Sequence, residues 1–123
     1  MSNELLIALF ENIFESIELI EKRFKPIKKA DDFIFLEDGI DRLDAIAMRL
    51  QVIGEELKKV DKSNIGFLAQ YPQIEWKKIK GIRDIISHHY VDINVEIIYD
   101  ICIEKMVPLK SVVAEILDDL KQE

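Results

Sequence analysis

Residues 83–90 read "RDIISHHY", which sets Arg83, Asp84, Ser87, two adjacent histidines and Tyr90 within eight positions. Histidine is the side chain that gains and loses charge near neutrality, and arginine is a fixed cation with a planar fork of donors. Cleaving RNA without a metal requires a base for the 2′-hydroxyl, an acid for the departing 5′-oxygen and positive charge against the phosphorane-like transition state. Arg83 and His88 are the residue types that would supply those functions. One chain offers a single well-placed histidine, so a two-fold dimer bringing two copies together would provide base and acid symmetrically.

Helical geometry separates the two histidines. At about 100° per residue from Arg83, Ile79, Ile82, Ile85 and Ile86 occupy an arc from roughly 200° to 320°, which must face the core. His89 falls inside that arc, whereas His88 falls at about 140°, beside Asp84 at about 100°. Lys77, Lys80, Arg83, Asp84, Ser87 and His88 share the opposite, polar arc. Tyr90 returns to almost the azimuth of Arg83 if the helix persists. Asp84 precedes His88 by four residues and could orient its ring, with Ser87 in support. Lys77 and Lys80 are candidates for phosphate contact, and Lys78 points to the apolar side and must snorkel. A plain structural account stays open on spacing alone: a histidine capping carbonyls, an arginine in a surface ion pair and a tyrosine packed on the next helix.

Other chemistries find no support. H-E-x-x-H, C-x-x-C and a carboxylate cluster beside the histidines are all absent, and neighbours 88 and 89 cannot face one metal from a regular helix. The glycines at 39, 54, 66 and 81 form no phosphate-binding loop. Ser87 lacks a base on its own face. No metal and no cofactor is expected.

The net charge of −7 would ordinarily argue against nucleic acid. Its distribution qualifies that inference, because Lys22, Arg23, Lys25, Lys28 and Lys29 crowd into residues 22–29, and residues 73–90 are also net basic. Basic residues also gather at helix ends for reasons of the dipole alone. A single cysteine, Cys102, excludes an internal disulfide and suits a reducing cytoplasm as a small buried hydrophobe. No apolar run is long enough to span a bilayer, and the N-terminus lacks the basic region of a signal peptide.

The elements that must carry these residues are helical, and 49% hydrophobic content over 123 residues suits a single domain covering 1–123. Leu5, Leu6, Leu9, Ile13, Phe14, Ile17, Ile20 and Phe24 recur at helical intervals after a cap at Ser2, predicting a helix to about residue 24. Pro26 ends it, and Asp31 or Asp32 caps a further turn through "FIFL". From about Asp38 to Asp61, Ile40, Leu43, Ile46, Ala47, Leu50, Ile53, Gly54 and Leu57 make one stripe. A glycine there costs roughly 1 kcal/mol of helix propensity, so Gly54 should mark close helix contact. Ser63 is a cap candidate for a short helix stopped by Pro72, and a third long helix carries the motif. Asp92 or Asn94 starts another helix, which Pro108 interrupts or follows with a new one. Strict alternation appears nowhere, so the fold class is an all-α bundle of about four to six helices.

With these residues in place, the chain resembles the HEPN family in its HepT-like branch. "RDIISHHY" fits that family's R-x4-H-x-Y signature through Arg83, His88 and Tyr90, and "RLDAIAMRLQVIGEELKK" is similar to its long second helix. The likeness covers roughly residues 38–117. It implies a compact helical bundle forming a two-fold homodimer with both motifs in one cleft. It also implies a metal-independent endoribonuclease acting on RNA as the toxin of a toxin–antitoxin pair. Its antitoxin would be a minimal nucleotidyltransferase that uses ATP to AMPylate the motif tyrosine, here Tyr90. Neither DNA nor a membrane is an expected partner. Asp84 departs from the family, which commonly has asparagine or another polar residue after the arginine, and a carboxylate there weakens the field felt by phosphate. The alternative function is a non-catalytic nucleotide- or RNA-binding partner of a nucleotidyltransferase.

Overall fold

The computed structural model describes residues 2–92 and 94–122; of Ser2, His89 and Tyr90 only the backbone is described. Among these residues lie six α-helices and no strand. They are α1 (Ser2–Phe24), α2 (Asp32–Phe35), α3 (Gly39–Ser63), α4 (Trp76–His89), α5 (Val95–Glu104) and α6 (Met106–Gln122). Short 3-10 turns at Leu68–Gln70 and Tyr90–Asp92 precede and follow α4.

α1 is central, packed between α3 and α6, and α4 lies against α3. Leu6, Leu9, Phe10, Ile13, Ile17 and Ile20 recur every three or four residues and are buried, so one side of α1 supplies an apolar stripe along its whole length. The stripe is centred where predicted: Phe10, outside the predicted set, is fully buried, and Leu5, at the border of the stripe, is half exposed. On α3, Leu43, Ile46, Leu50, Ile53, Leu57 and Val60 are buried, while Ile40 is exposed at the first turn, where α3 has emerged from under α2 only one residue earlier.

The predicted caps fare unevenly. α1 already includes Ser2, so Ser2 is not a cap preceding the helix. Asp31 stands at the cap of α2 without a side-chain hydrogen bond, and the Asp32 carboxylate instead accepts from the Lys28 backbone N–H at 2.8 Å. Ser63 closes α3 rather than opening a new helix, since the run of helical hydrogen bonds continues to the Asn64 N–H on the Val60 carbonyl. Asn94 caps α5, its Oδ1 accepting from the Glu96 N–H at 2.8 Å. Pro108 sits in the first turn of α6, where no intrahelical N–H is required.

Two polar contacts fix where α4 begins. The Trp76 indole N–H donates to the Tyr71 carbonyl at 2.9 Å, and the Tyr71 hydroxyl donates to Asp119 of α6 at 2.7 Å. Buried Phe67, Leu68 and Tyr71 anchor the same connection by packing, Phe67 against Phe10 and Tyr71 at ring distances of 5.7 and 5.8 Å.

Candidate functional site on the α3–α4 face

α4 turns Trp76, Ile79, Ile82 and Ile86 into the core, as the 3–4 spacing requires. Ile85, at the edge of the predicted core arc, is 36% exposed. The polar arc is not wholly solvated, because α3 runs antiparallel along its border and three side-chain pairs cross the gap. Lys80 Nζ donates to Asp61 at 2.6 Å, Arg83 Nε donates to Glu55, and Gln51 Nε2 donates to the Ser87 hydroxyl at 3.1 Å.

Gly54 makes this register fit. A Cβ at position 54 would lie 2.6 Å from the Arg83 Cβ, closer than two carbons can approach, so the arginine stem rests on bare α3 backbone. The predicted role of Gly54 as a close-contact residue holds, and its partner is the motif arginine itself. Arg83 is thereby half buried, with 31% of its side chain exposed, and Nη1 also reaches Asp84 at 3.3 Å. Its guanidinium thus meets two carboxylates, from Glu55 on α3 and from Asp84.

His88 lies five residues on, about 7.5 Å along the axis, with an exposed side chain. The expected core-facing ring of His89 and the expected azimuth of the Tyr90 ring lie outside the described residues; the Tyr90 backbone opens the 3-10 turn that ends α4. Lys77 is exposed and makes no ion pair among the described residues, whereas Lys80 is held by Asp61. Lys78 is exposed and pairs with Glu75 at 3.3 Å, so it reaches outward as expected of a snorkelling lysine.

Two hollows open along this face. One of about 410 Å³ is lined by Asp44, Ala47, Met48 and Gln51 of α3 with Ile86 and Ser87 of α4. Another of about 280 Å³ is bounded by Gly54, Lys58, Asp61, Lys80, Arg83 and Asp84. The first adjoins the helix end that carries His88, and the second exposes the cations of the motif helix. Among the described residues, no group of three or more His, Cys, Asp or Glu side chains is arranged to hold a metal ion. No described helix is long and apolar enough to cross a membrane.

Gln51, Glu55 and Asp61 were not anticipated from the sequence. Their signal is there, since 51, 54, 55, 58 and 61 follow helical spacing through Gly54. Assigning them to the motif, however, requires the register of α3 against α4.

The family model described as Ribonuclease HepT-like matches residues 13–116. The chain belongs to the HepT-like ribonuclease family. A "Putative RNase" of Methanocaldococcus jannaschii is 39% identical over 79 residues, 64% of this chain and 63% of that protein. A "Putative RNase" of Caldanaerobacter subterraneus subsp. tengcongensis is 31% identical over 111 residues, 90% of this chain and 93% of that protein. A "Probable ribonuclease HepT" of Thermococcus cleftensis is 31% identical over 101 residues, covering 82% and 86% of the two chains. The chain thus spans less than two thirds of the Methanocaldococcus relative's length and most of the other two. No solved structure matches it. Within this HepT-like chain, Arg83 sits on α4 where Gly54 and Glu55 support it, His88 is exposed further along α4, and Tyr90 lies in the turn that follows.

Proposed function

We propose that this HepT-like chain is a metal-independent endoribonuclease and the toxin of a toxin–antitoxin pair, acting as a homodimer through Arg83 and His88. The observation that carries the reading is Arg83, seated on Gly54 and turned along α3 in a chain of this family, with His88 exposed one and a half turns on. In the reaction the 2′-oxygen attacks phosphorus as His88 takes its proton. The bond from phosphorus to the 5′-oxygen breaks, and the leaving oxygen takes a proton from the His88 of a second copy, leaving a 2′,3′-cyclic phosphate. Arg83 stabilises the charge that builds on the phosphoryl oxygens, and to do so it must exchange Glu55 and Asp84 for phosphate. Lys77 and Lys80 extend the phosphate contact, and Ser87 with Asp84 orients the motif.

Tyr90 is the switch of this mechanism. Attack of its hydroxyl on the α-phosphate of ATP, catalysed by a partner nucleotidyltransferase, would release pyrophosphate and leave AMP on the tyrosine. The added phosphate would then repel RNA from the cleft.

Incubation of the purified protein with RNA in EDTA tests the cleavage. Cyclic-phosphate products that disappear in Arg83→Ala and His88→Ala, with circular dichroism unchanged, are the expected result, and a drop of at least about 100-fold is expected for loss of the acid–base group. Cleavage retained by His88→Ala removes that residue from catalysis. Intact mass after coexpression with a nucleotidyltransferase should gain AMP on Tyr90, and adducts mapping elsewhere remove Tyr90 from the switch.

A second reading is favoured by the two carboxylates on Arg83, which reduce the positive field that a phosphate would meet. In it the same face binds nucleotide or RNA without cutting it. RNA bound but left intact in EDTA would select that reading.

A further inference from the structure

The densest positive charge of this acidic chain lies outside the motif helix, at the end of α1 and the turn after it. Lys22, Lys25, Lys28 and Lys29 are all exposed. None of them forms an ion pair among the described residues, whereas Arg42, Lys59, Lys78, Lys80, Arg83, Lys110 and Lys121 all do. Three nearby acids are already engaged. Glu21 holds Lys110 at 2.8 Å, Asp38 holds Arg42 at 2.8 Å, and Asp32 faces the Lys28 backbone N–H. None of the four ammonium groups is in ion-pair contact with a described carboxylate, and that of Lys28 donates to the Lys25 carbonyl at 2.9 Å, while the exposed acids Glu18 and Asp31 flank the run.

The turn is a built surface and not a loose tail. Ile27 is buried beneath it. Arg42 Nη1 donates to the Arg23 carbonyl at 3.1 Å, and the Tyr99 hydroxyl donates to the Lys28 carbonyl at 2.9 Å. These same bonds locate the turn. Arg42 stands two residues before Asp44, which lines the hollow shared with Ile86 and Ser87. Tyr99 belongs to α5, which starts just after the Tyr90–Asp92 turn. The lysines and the catalytic end of α4 therefore sit at one end of the bundle. Along α3 the level of Arg42 is about 18 Å from that of Gly54 and Arg83, within reach of a few nucleotides. α2, which Asp32 ties to the turn, carries Phe35 with 78% of its surface exposed. Exposed lysines in a turn that leads into a helix with an exposed ring supply the groups that hold a single strand by phosphate contact and base stacking.

We propose that Lys22, Lys25, Lys28 and Lys29, with the ring of Phe35, form a track for single-stranded RNA that leads to the cleavage site without taking part in cleavage. The proposal rests on the ribonuclease reading above. It gives a protein of net charge −7 one place, residues 22–29, at which positive charge is concentrated to meet a polyanion.

The test is binding of fluorescein-labelled oligouridylate to the non-cleaving His88→Ala protein, followed by anisotropy over a range of salt. Lys25→Gln with Lys28→Gln should weaken binding and flatten the dependence of log affinity on log salt by about 0.7 per lysine. Lys62→Gln with Lys105→Gln removes the same charge from lysines elsewhere and should leave the slope unchanged. Phe35→Ala should lower affinity without altering the slope. Equal losses in both lysine pairs would reduce the effect to net charge and overturn the track. An unchanged slope in a protein that binds and, with His88 intact, cleaves RNA also overturns it, assigning the lysines to another anion such as an acidic protein face. Absence of both cleavage by the unaltered protein and binding by His88→Ala would instead bring down the ribonuclease reading and the track together.

Discussion

Arg83 and Gly54 act as one unit. The arginine is half buried because position 54 has no Cβ, and the Glu55 carboxylate takes the guanidinium at the point where the stem emerges from the contact. Gly54→Ala should gain a little helix propensity yet force α3 and α4 apart, a net loss of about 1–3 kcal/mol of the kind seen on overpacking. Urea denaturation should register it, together with reduced RNA cleavage as Arg83 shifts. A variant of unchanged stability would show that the contact yields easily. Cys102 illustrates the opposite kind of residue, chemically capable but sequestered. Burial pushes its thiol up from about 9 to about 12, so the folded protein should resist iodoacetamide at mild pH and react once unfolded. Because the folded value is the higher one, the stabilisation it contributes is complete below about pH 9 and is lost as pH rises to about 12. Comparing the alkaline arm of the stability curve for Cys102→Ala with that of the parent measures this.

At the scale of elements, the position of the motif depends on how α4 is started and how α5 follows it. The start is held by Trp76 and Tyr71, and the continuation by the Asn94 cap, two residues after the turn that contains Tyr90. Asn94→Ala should cost about 1 kcal/mol, the usual price of an N-cap, and lower the melting temperature by a few degrees. Amide exchange should rise in the first turn of α5. Exchange unchanged there would mean that packing of Ile98 and Ile101 alone holds the helix. The helices and most of their bounds are legible from periodicity, since burial and spacing are the same signal read twice. The exceptions, Leu5, Ile40 and Ile85, are apolar residues at the borders of stripes, and whether a border is covered depends on a neighbour that the local pattern does not contain.

For the molecule as a whole, Met48 and Ile85 are exposed on the face that carries the motif. Under the proposed two-fold arrangement this face meets its copy, bringing two His88 residues together. Met48→Glu sets a charge at the centre of that contact and should shift the sedimentation coefficient from dimer to monomer while abolishing RNA cleavage. A dimer surviving this change with full activity would move the interface elsewhere. Loss of dimerisation with the circular dichroism spectrum intact would separate assembly from folding.

Taken alone, the sequence determined the all-α class, the run of helices and the identity of the motif, because residue types and their spacing are local quantities. The close fit expected at Gly54 was legible too, although its partner was not. Only the tertiary structure decided that Arg83 fills that space, that Glu55, Gln51 and Asp61 pair with the motif helix, and that the lysines of residues 22–29 share one end of the bundle with it. Those facts depend on the antiparallel register of α3 with α1 and α4, which is set by packing many side chains at once and is written in no single stretch of the chain.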